Sequence, residues 1–388
     1  MSSTDKPTQA LLLTLLLVLA SAVTACNADD GSSPDTSVRA GSSGASGTGG
    51  AGVSQAGSTP TTPQGGRENT AGSSHVAGGS GLAGSGSVAP IGKLEPAAGK
   101  TLLVIGQDTA SIEEYAEQVG PMPQGVMLYS NIRDLAGLSY PTDFGAGQNN
   151  LQHWQTRAPG VALQIGLNLV DSLDGLGQGQ MDLNVDTLGE LLRDCGHPVF
   201  LRVGYEFDSA WAGYEPNAFQ KAYRRIVDGV RAKGADNVAF VWHSWGFQHS
   251  FGQASVATWY PGDSYVDWVG VSLFPGWDAV STQAAIGARS EIAAFAKQHQ
   301  KPFMIAEAGP RQAFEPSRGA DAWSGWYQGV FDFIAQHDVK MFSYINANWD
   351  AQPLWAGQGW GDTRVQTNAY VLERWRAELA KPRFAIAR

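Results

Sequence analysis

Two glutamates each close an apolar run. Leu201-Arg202-Val203-Gly204-Tyr205 leads to Glu206, and Pro302-Phe303-Met304-Ile305-Ala306 leads to Glu307. A carboxyl at the end of a buried strand is costly unless it has a partner or a task. If one is protonated and the other ionised, the pair can cleave a glycosidic bond with retention. The acid protonates the departing oxygen, and the carboxylate captures the electron-deficient carbon from the opposite face. Environments on different strands can hold two carboxyls in different protonation states near neutral pH. In the structural alternative, both are ion-pair partners at strand ends.

For the two to meet, their strands must be parallel and converge on one mouth. Eight apolar runs bounded by turn residues read as strands: Leu102–Gly106, Gly125–Ser130, Ala162–Leu169, Val199–Tyr205, Val238–His243, Trp268–Leu273, Phe303–Ala306 and Met341–Ile345. Near-continuous apolar runs indicate strands covered on both faces. The clearest helix opens at Pro216, carries Phe219, Ala222, Tyr223, Ile226, Val227 and Val230 at helical spacing, and stops at Gly234. Strands alternating with helices over residues 99 to 388 predict a (β/α)8 TIM barrel. A doubly wound sheet is the weaker alternative, since no Gly-rich phosphate turn follows the first strand.

Barrel chemistry sits at the C-terminal strand ends. The candidates there are Gln107, Asp108, Tyr205, Glu206, Asp208, His243, Trp245, Phe274, Glu307, Asn346, Trp349 and Asp350. Trp349, in the polar run Asn346-Ala347-Asn348-Trp349-Asp350, reads as a platform for a sugar face. Trp211 reads equally as platform or loop packing. His243 is either a substrate contact or a satisfied structural histidine, and Trp268 reads as structural. Asp263 and Asp267 flank a Pro-Gly turn and read as turn and cap residues rather than metal ligands. No His/Cys cluster has zinc spacing.

These segments resemble glycoside hydrolase family 26. Besides the two glutamate runs, the resemblance is carried by Phe219 to Arg225 with Ile226-Val227-Asp228, by Gly234-Ala235-Asp236-Asn237-Val238, and by Trp259-Tyr260-Pro261-Gly262-Asp263-Ser264-Tyr265-Val266-Asp267-Trp268-Val269-Gly270. It implies a cofactor-free hydrolase with Glu206 as acid/base, Glu307 as nucleophile, and Arg202 supporting the nucleophile. An ion pair from Arg202 would favour ionised Glu307. The chain departs from the family's mannanases, which usually have His where Tyr205 stands, commonly Asn at Asp208, and often Tyr where strand six ends in Ser272-Leu273-Phe274. Gly204-Tyr205-Glu206-Phe207-Asp208 looks closer to the β-1,3-xylanase-like branch. The expectation is therefore a retaining endo-β-glycanase acting on β-1,3-xylan or β-mannan, with Arg202, Tyr205, Asp208, Trp211, His243, Trp245, Asn346 and Trp349 contacting substrate. The alternative is a catalytically silent sugar-binding barrel at the cell surface.

The segment ahead of the barrel speaks to address. Lys6 and the run Leu11 to Ala20 have the layout of a secretory signal over residues 1–25, and Val23-Thr24-Ala25-Cys26 resembles a bacterial lipobox. Acylation of Cys26 predicts an exported cell-envelope lipoprotein at the outer membrane or cell surface. An ordinary cleaved signal would give a secreted one. Residues 26–98 are Gly, Ser, Thr, Ala and Pro with almost no large apolar residue, and the first aromatic of the chain is Tyr115. Such a tract cannot offset its ordering entropy and reads as a disordered tether with a reach of ~45 Å. With Cys26 lipidated, Cys195 has no disulfide partner and reads as packing at a helix end. The net charge of −10 argues against a nucleic-acid partner and suits a neutral polysaccharide.

Overall fold

The computed structural model describes residues 92–246, 255–274 and 282–384. The leader, Cys26 and the tether up to residue 91 lie outside the described residues. Eight parallel strands close into a barrel: β1 (Leu102–Gly106), β2 (Gly125–Asn131), β3 (Ala162–Asn168), β4 (Val199–Val203), β5 (Val238–Ser244), β6 (Trp268–Leu273), β7 (Phe303–Ala308) and β8 (Met341–Ile345). Neighbours in sequence pair in space, and β8 closes on β1 with Leu102 opposite Met341 and Gly106 opposite Ile345. This is the expected (β/α)8 architecture. A two-stranded antiparallel ribbon, Thr142–Asp143 with Gln148–Asn149, sits in the β2–β3 connection and was not foreseen.

Alternation along each strand divides the core in two. Val199, Leu201 and Val203 of β4 pack outward with the helices, whereas Phe200 joins Val104, Met127, Met304 and Met341 inside the barrel. Outside, helix α1 (Thr109–Gln118) is capped by Asp108, and α2 (Asp182–Asp194) ends at the buried Cys195. Helix α3 (Pro216–Ala232) buries Phe219, Ala222, Tyr223, Ile226, Val227 and Val230, the stripe its spacing predicts. Each large apolar side chain so buried contributes about 1.5–3 kcal/mol. Pro216 opens this helix, and Gly234, at φ +73°, ends it where a side chain would be strained. Helices α4 (Thr282–Gln298) and α5 (Ala369–Leu379) follow β6 and β8.

β2, β3 and β5 end one residue away from the sequence reading, and three further boundaries differ more. β4 stops at Val203 because Gly204 and Glu206 have positive φ. β7 runs on to Ala308, since Glu307 and Ala308 still pair with Ser272 and Leu273. Gly92 to Pro96, grouped with the tether by composition, are partly buried, and Lys93 to Glu95 contact the barrel. Lys93 O accepts from Trp268 Nε1 at 2.7 Å, Leu94 joins the inner core, and Glu95 pairs with Lys340 at 3.5 Å. Trp268 is thus a structural residue.

Candidate active site

Glu206 follows β4 through a turn that strand geometry could not make. Gly204 takes φ +56°, and a Cβ there would lie 2.8 Å from Phe219 Cε2. Glu206 itself sits at φ +54°, a strained conformation that occurs at sites where a side chain must be aimed. The residue is 5% exposed and its carboxyl is held at both oxygens: Ser272 Oγ donates to Oε1, and Trp211 Nε1 donates to Oε2 at 2.9 Å. Burial first, then the charge of Glu307, push Glu206 well above the usual carboxyl range, against the hydrogen bonds from Ser272 and Trp211 and the charge of Arg202.

Glu307 reaches the same mouth through a β-bulge. Val271 is opposite Ile305, but Ser272 is opposite Glu307, so Ala306 is an extra residue in β7. Met304 and Ala306 already belong to the inner core. Strict alternation would therefore turn Glu307 towards the helices, and the bulge turns it inward. Arg202 Nη1 donates to Glu307 Oε1 in a buried ion pair. Burial is the largest influence and opposes the Arg202 charge, but Glu307 and Tyr129 together outweigh it and the guanidinium is raised. The Tyr129 and Tyr205 rings lie 5.1 and 5.2 Å from its Cζ. Gly166 of β3, opposite Arg202, leaves the room: a Cβ there would be 2.9 Å from Arg202 Nη2 and 2.8 Å from Tyr129 Cδ1.

The structure gathers Arg202, Tyr205, Trp211 and His243 around the two glutamates. His243 is fully buried, with Nδ1 3.4 Å from Arg202 Nη1 and Nε2 3.0 Å from Ser272 Oγ. Burial and the Arg202 charge hold it well below the ordinary histidine value, hence neutral. Half-buried Trp245 stands beside Phe274, their ring centroids 5.9 Å apart.

Other candidates have structural partners. Asp208 is fully buried and accepts from Ser244 Oγ and Trp245 N, both at 2.6 Å, pinning the chain after β5. Buried carboxylates need such donors, so Asp208 holds a loop in place of the expected sugar contact. Asn346 accepts from Val365 N at 2.9 Å and donates to Gln366. Trp349 is 3% exposed: Trp360 stacks on it at 4.7 Å and Thr363 Oγ1 accepts from its indole N–H. A ring so covered is core to the loop after β8, contrary to the platform reading. Gln107 donates to Gln352, and Asp350 is exposed. Asp267 accepts from Phe240 N at 2.9 Å, and Asp263 bonds Tyr260 and His299.

Sequence reasoning missed Ser272, Tyr129 and Gly166. Their signal was the inward parity of strands six, two and three, visible only once each strand's register is known.

With this geometry in view, comparison with known proteins assigns the family. Residues 105–333 match the family described as Glycosyl hydrolase family 26. The chain belongs to that family. It is a glycoside hydrolase. A β-1,3-xylanase from Vibrio sp is 34% identical over 319 residues, covering 75% of this chain and 67% of the relative. A β-1,3-xylanase from Alcaligenes sp is 33% identical over 319 residues, covering 75% and 66%. The chain thus spans about two thirds of the length of these relatives. Among solved structures, a family 26 β-mannanase from Bacteroides ovatus superposes with TM-score 0.55 at 13% identity, covering 73% of this chain and 89% of that one. That likeness supports the barrel fold.

Proposed function

We propose that this family 26 hydrolase is a retaining endo-β-1,3-xylanase in which Glu206 is the acid/base and Glu307 the nucleophile. The observation that carries the reading is the unequal treatment of two converging carboxyls. Glu206 is buried and held by neutral donors, whereas Glu307 is paired with Arg202. The first environment favours a protonated acid, and the second offers a charge to a carboxylate. Similarity to proteins named β-1,3-xylanases, at 34% and 33% identity, supports the choice of xylan over mannan.

In the first step the Glu206 proton passes to the glycosidic oxygen as the C–O bond breaks with its electron pair going to that oxygen. Glu307 attacks the anomeric carbon from the other face. Glu206, now ionised, takes a proton from water, whose oxygen displaces Glu307. The product keeps the β configuration.

The test is release of reducing ends from β-1,3-xylan, β-mannan, mixed-linkage β-glucan and algal galactan, with proton NMR of the first product. β-1,3-xylan should be cleaved with a β-anomer formed first. Glu307→Ala should abolish turnover. Glu206→Ala should retain activity on activated aryl glycosides and be rescued by azide. An α-anomer first, or full activity in the Glu307 variant, overturns the mechanism. A barrel that binds these polymers without cleaving any would revive the silent sugar-binding alternative.

A further inference from the structure

We propose that Arg202 fixes, through His243 and Ser272, which oxygen of Glu206 carries the catalytic proton; this rests on reading Glu206 as the acid/base. The argument is one of hydrogen-bond direction. A guanidinium has donors only. Arg202 Nη1 lies 3.4 Å from His243 Nδ1, so Nδ1 accepts and the ring proton is on Nε2. That proton points at Ser272 Oγ, 3.0 Å away. Ser272 has one proton of its own, and it goes to Glu206 Oε1. Each bond leaves the next group a single choice.

Oε1 is therefore an acceptor. Oε2 accepts from Trp211 Nε1 as well, but a protonated Oε2 keeps a lone pair for that N–H, so the acidic proton sits on Oε2. A proton on Oε1 would point at Ser272 Oγ together with the one from His243, leaving the serine's own buried proton without this acceptor. The two oxygens also face different surroundings. Oε1 meets Ser272, which with His243 is fully buried, whereas Oε2 meets the half-buried Trp211. A proton on Oε1 would be held inside the barrel wall, out of reach of a glycosidic oxygen. Neutral His243 is essential to the chain, because an imidazolium would turn a second N–H on Arg202.

Ser272 and His243 are thus positioning residues. The charged and titratable groups around Glu206 are Arg202 from β4, Tyr205 and Asp208 on either side, His243 from β5, Arg289 from α4 and Glu307 from β7. None is removed by substituting Ser272. Losing the Ser272 donor takes a hydrogen bond from the ionised form, so the basic limb of the pH profile should move up.

The experiment uses the full chain, β-1,3-xylan, and a 2,4-dinitrophenyl β-xyloside whose leaving group needs no proton. Ser272→Ala should lower kcat/KM on xylan by about ten- to a hundredfold, the scale of one hydrogen bond to a charged group. The loss on the aryl glycoside should be at least ~10-fold smaller. Ser272→Thr should restore the hydroxyl and the pH profile. His243→Gln, which can still accept and donate, should be milder than His243→Leu. His243→Leu combined with Ser272→Ala should be no worse than Ser272→Ala alone, as for two links of one chain. Thermal unfolding of each variant separates misfolding from mispositioning. Equal losses on both substrates in folded Ser272→Ala, an unmoved basic limb, or additive effects of the two substitutions would overturn the proposal. Glu206→Ala with undiminished xylan hydrolysis would instead remove the acid/base reading beneath it.

Discussion

The Glu206 carboxyl is buried beside a second carboxylate, and both conditions penalise its ionised form. That penalty is also a stability term. The folded-state pKa lies above the ordinary 4.5, so folded protein holds the proton over a range where unfolded chain has lost it. Stability from this group is full below 4.5 and falls as pH rises towards the raised folded value. Glu206→Gln removes the loss. Its Tm should therefore match wild type near pH 4 and exceed it by a growing margin towards neutral pH, measured by thermal unfolding across a pH series. A constant margin would mean that Glu206 titrates normally. At the same scale, Trp349 now has a structural expectation: with Trp360 stacked on it, Trp349→Ala should cost about 3–5 kcal/mol of stability, read by chemical denaturation.

At the scale of elements, small local departures from ideal strands aim the two carboxyls. Positive φ at Gly204 and Glu206 ends β4, and one extra residue in β7 rotates Glu307 inward. Gly166 is the counterpart on β3, where a missing side chain admits the guanidinium that pairs with Glu307. Gly166→Ala should overpack this corner at a cost of about 1–3 kcal/mol. Because Arg202 Nη2 is one of the two nearest neighbours, kcat should fall on polysaccharide and on activated aryl glycosides alike, in contrast to the Ser272 variants. Unchanged kcat on both would show that the corner relaxes elsewhere.

Across the whole molecule, the barrel is closed by elements far apart in sequence, and its N-terminal limit lies at the residues that pack on it. Lys93 and Leu94 touch β6 and the inner core, so deleting residues 27 to 91 should leave Tm unchanged, while extending the deletion through residue 98 should lower it by several degrees. Among the described residues no helix is long and apolar enough to cross a membrane. We propose that lipid on Cys26 anchors the protein at the cell envelope. Detergent-phase partitioning should be lost in Cys26→Ala, and equal solubility of both forms would refute the anchor.

The sequence alone determined what is local and periodic. Apolar runs of strand length marked all eight strands, the stripe from Phe219 to Val230 marked α3, and two glutamates closing apolar runs marked the candidate site. Those signals survive in one dimension because burial acts on each residue in turn. Whether a side chain points into the barrel depends on register, bulges and φ, which are set by the neighbouring strand. Hence Asp208, Asn346 and Trp349 looked like cleft residues yet serve as anchors of loops, and Ser272 and Gly166 were passed over. Only the closed barrel brings Arg202, His243 and Ser272 from three strands into contact. Hydrogen-bond direction belongs to that assembled chain and to no residue in it.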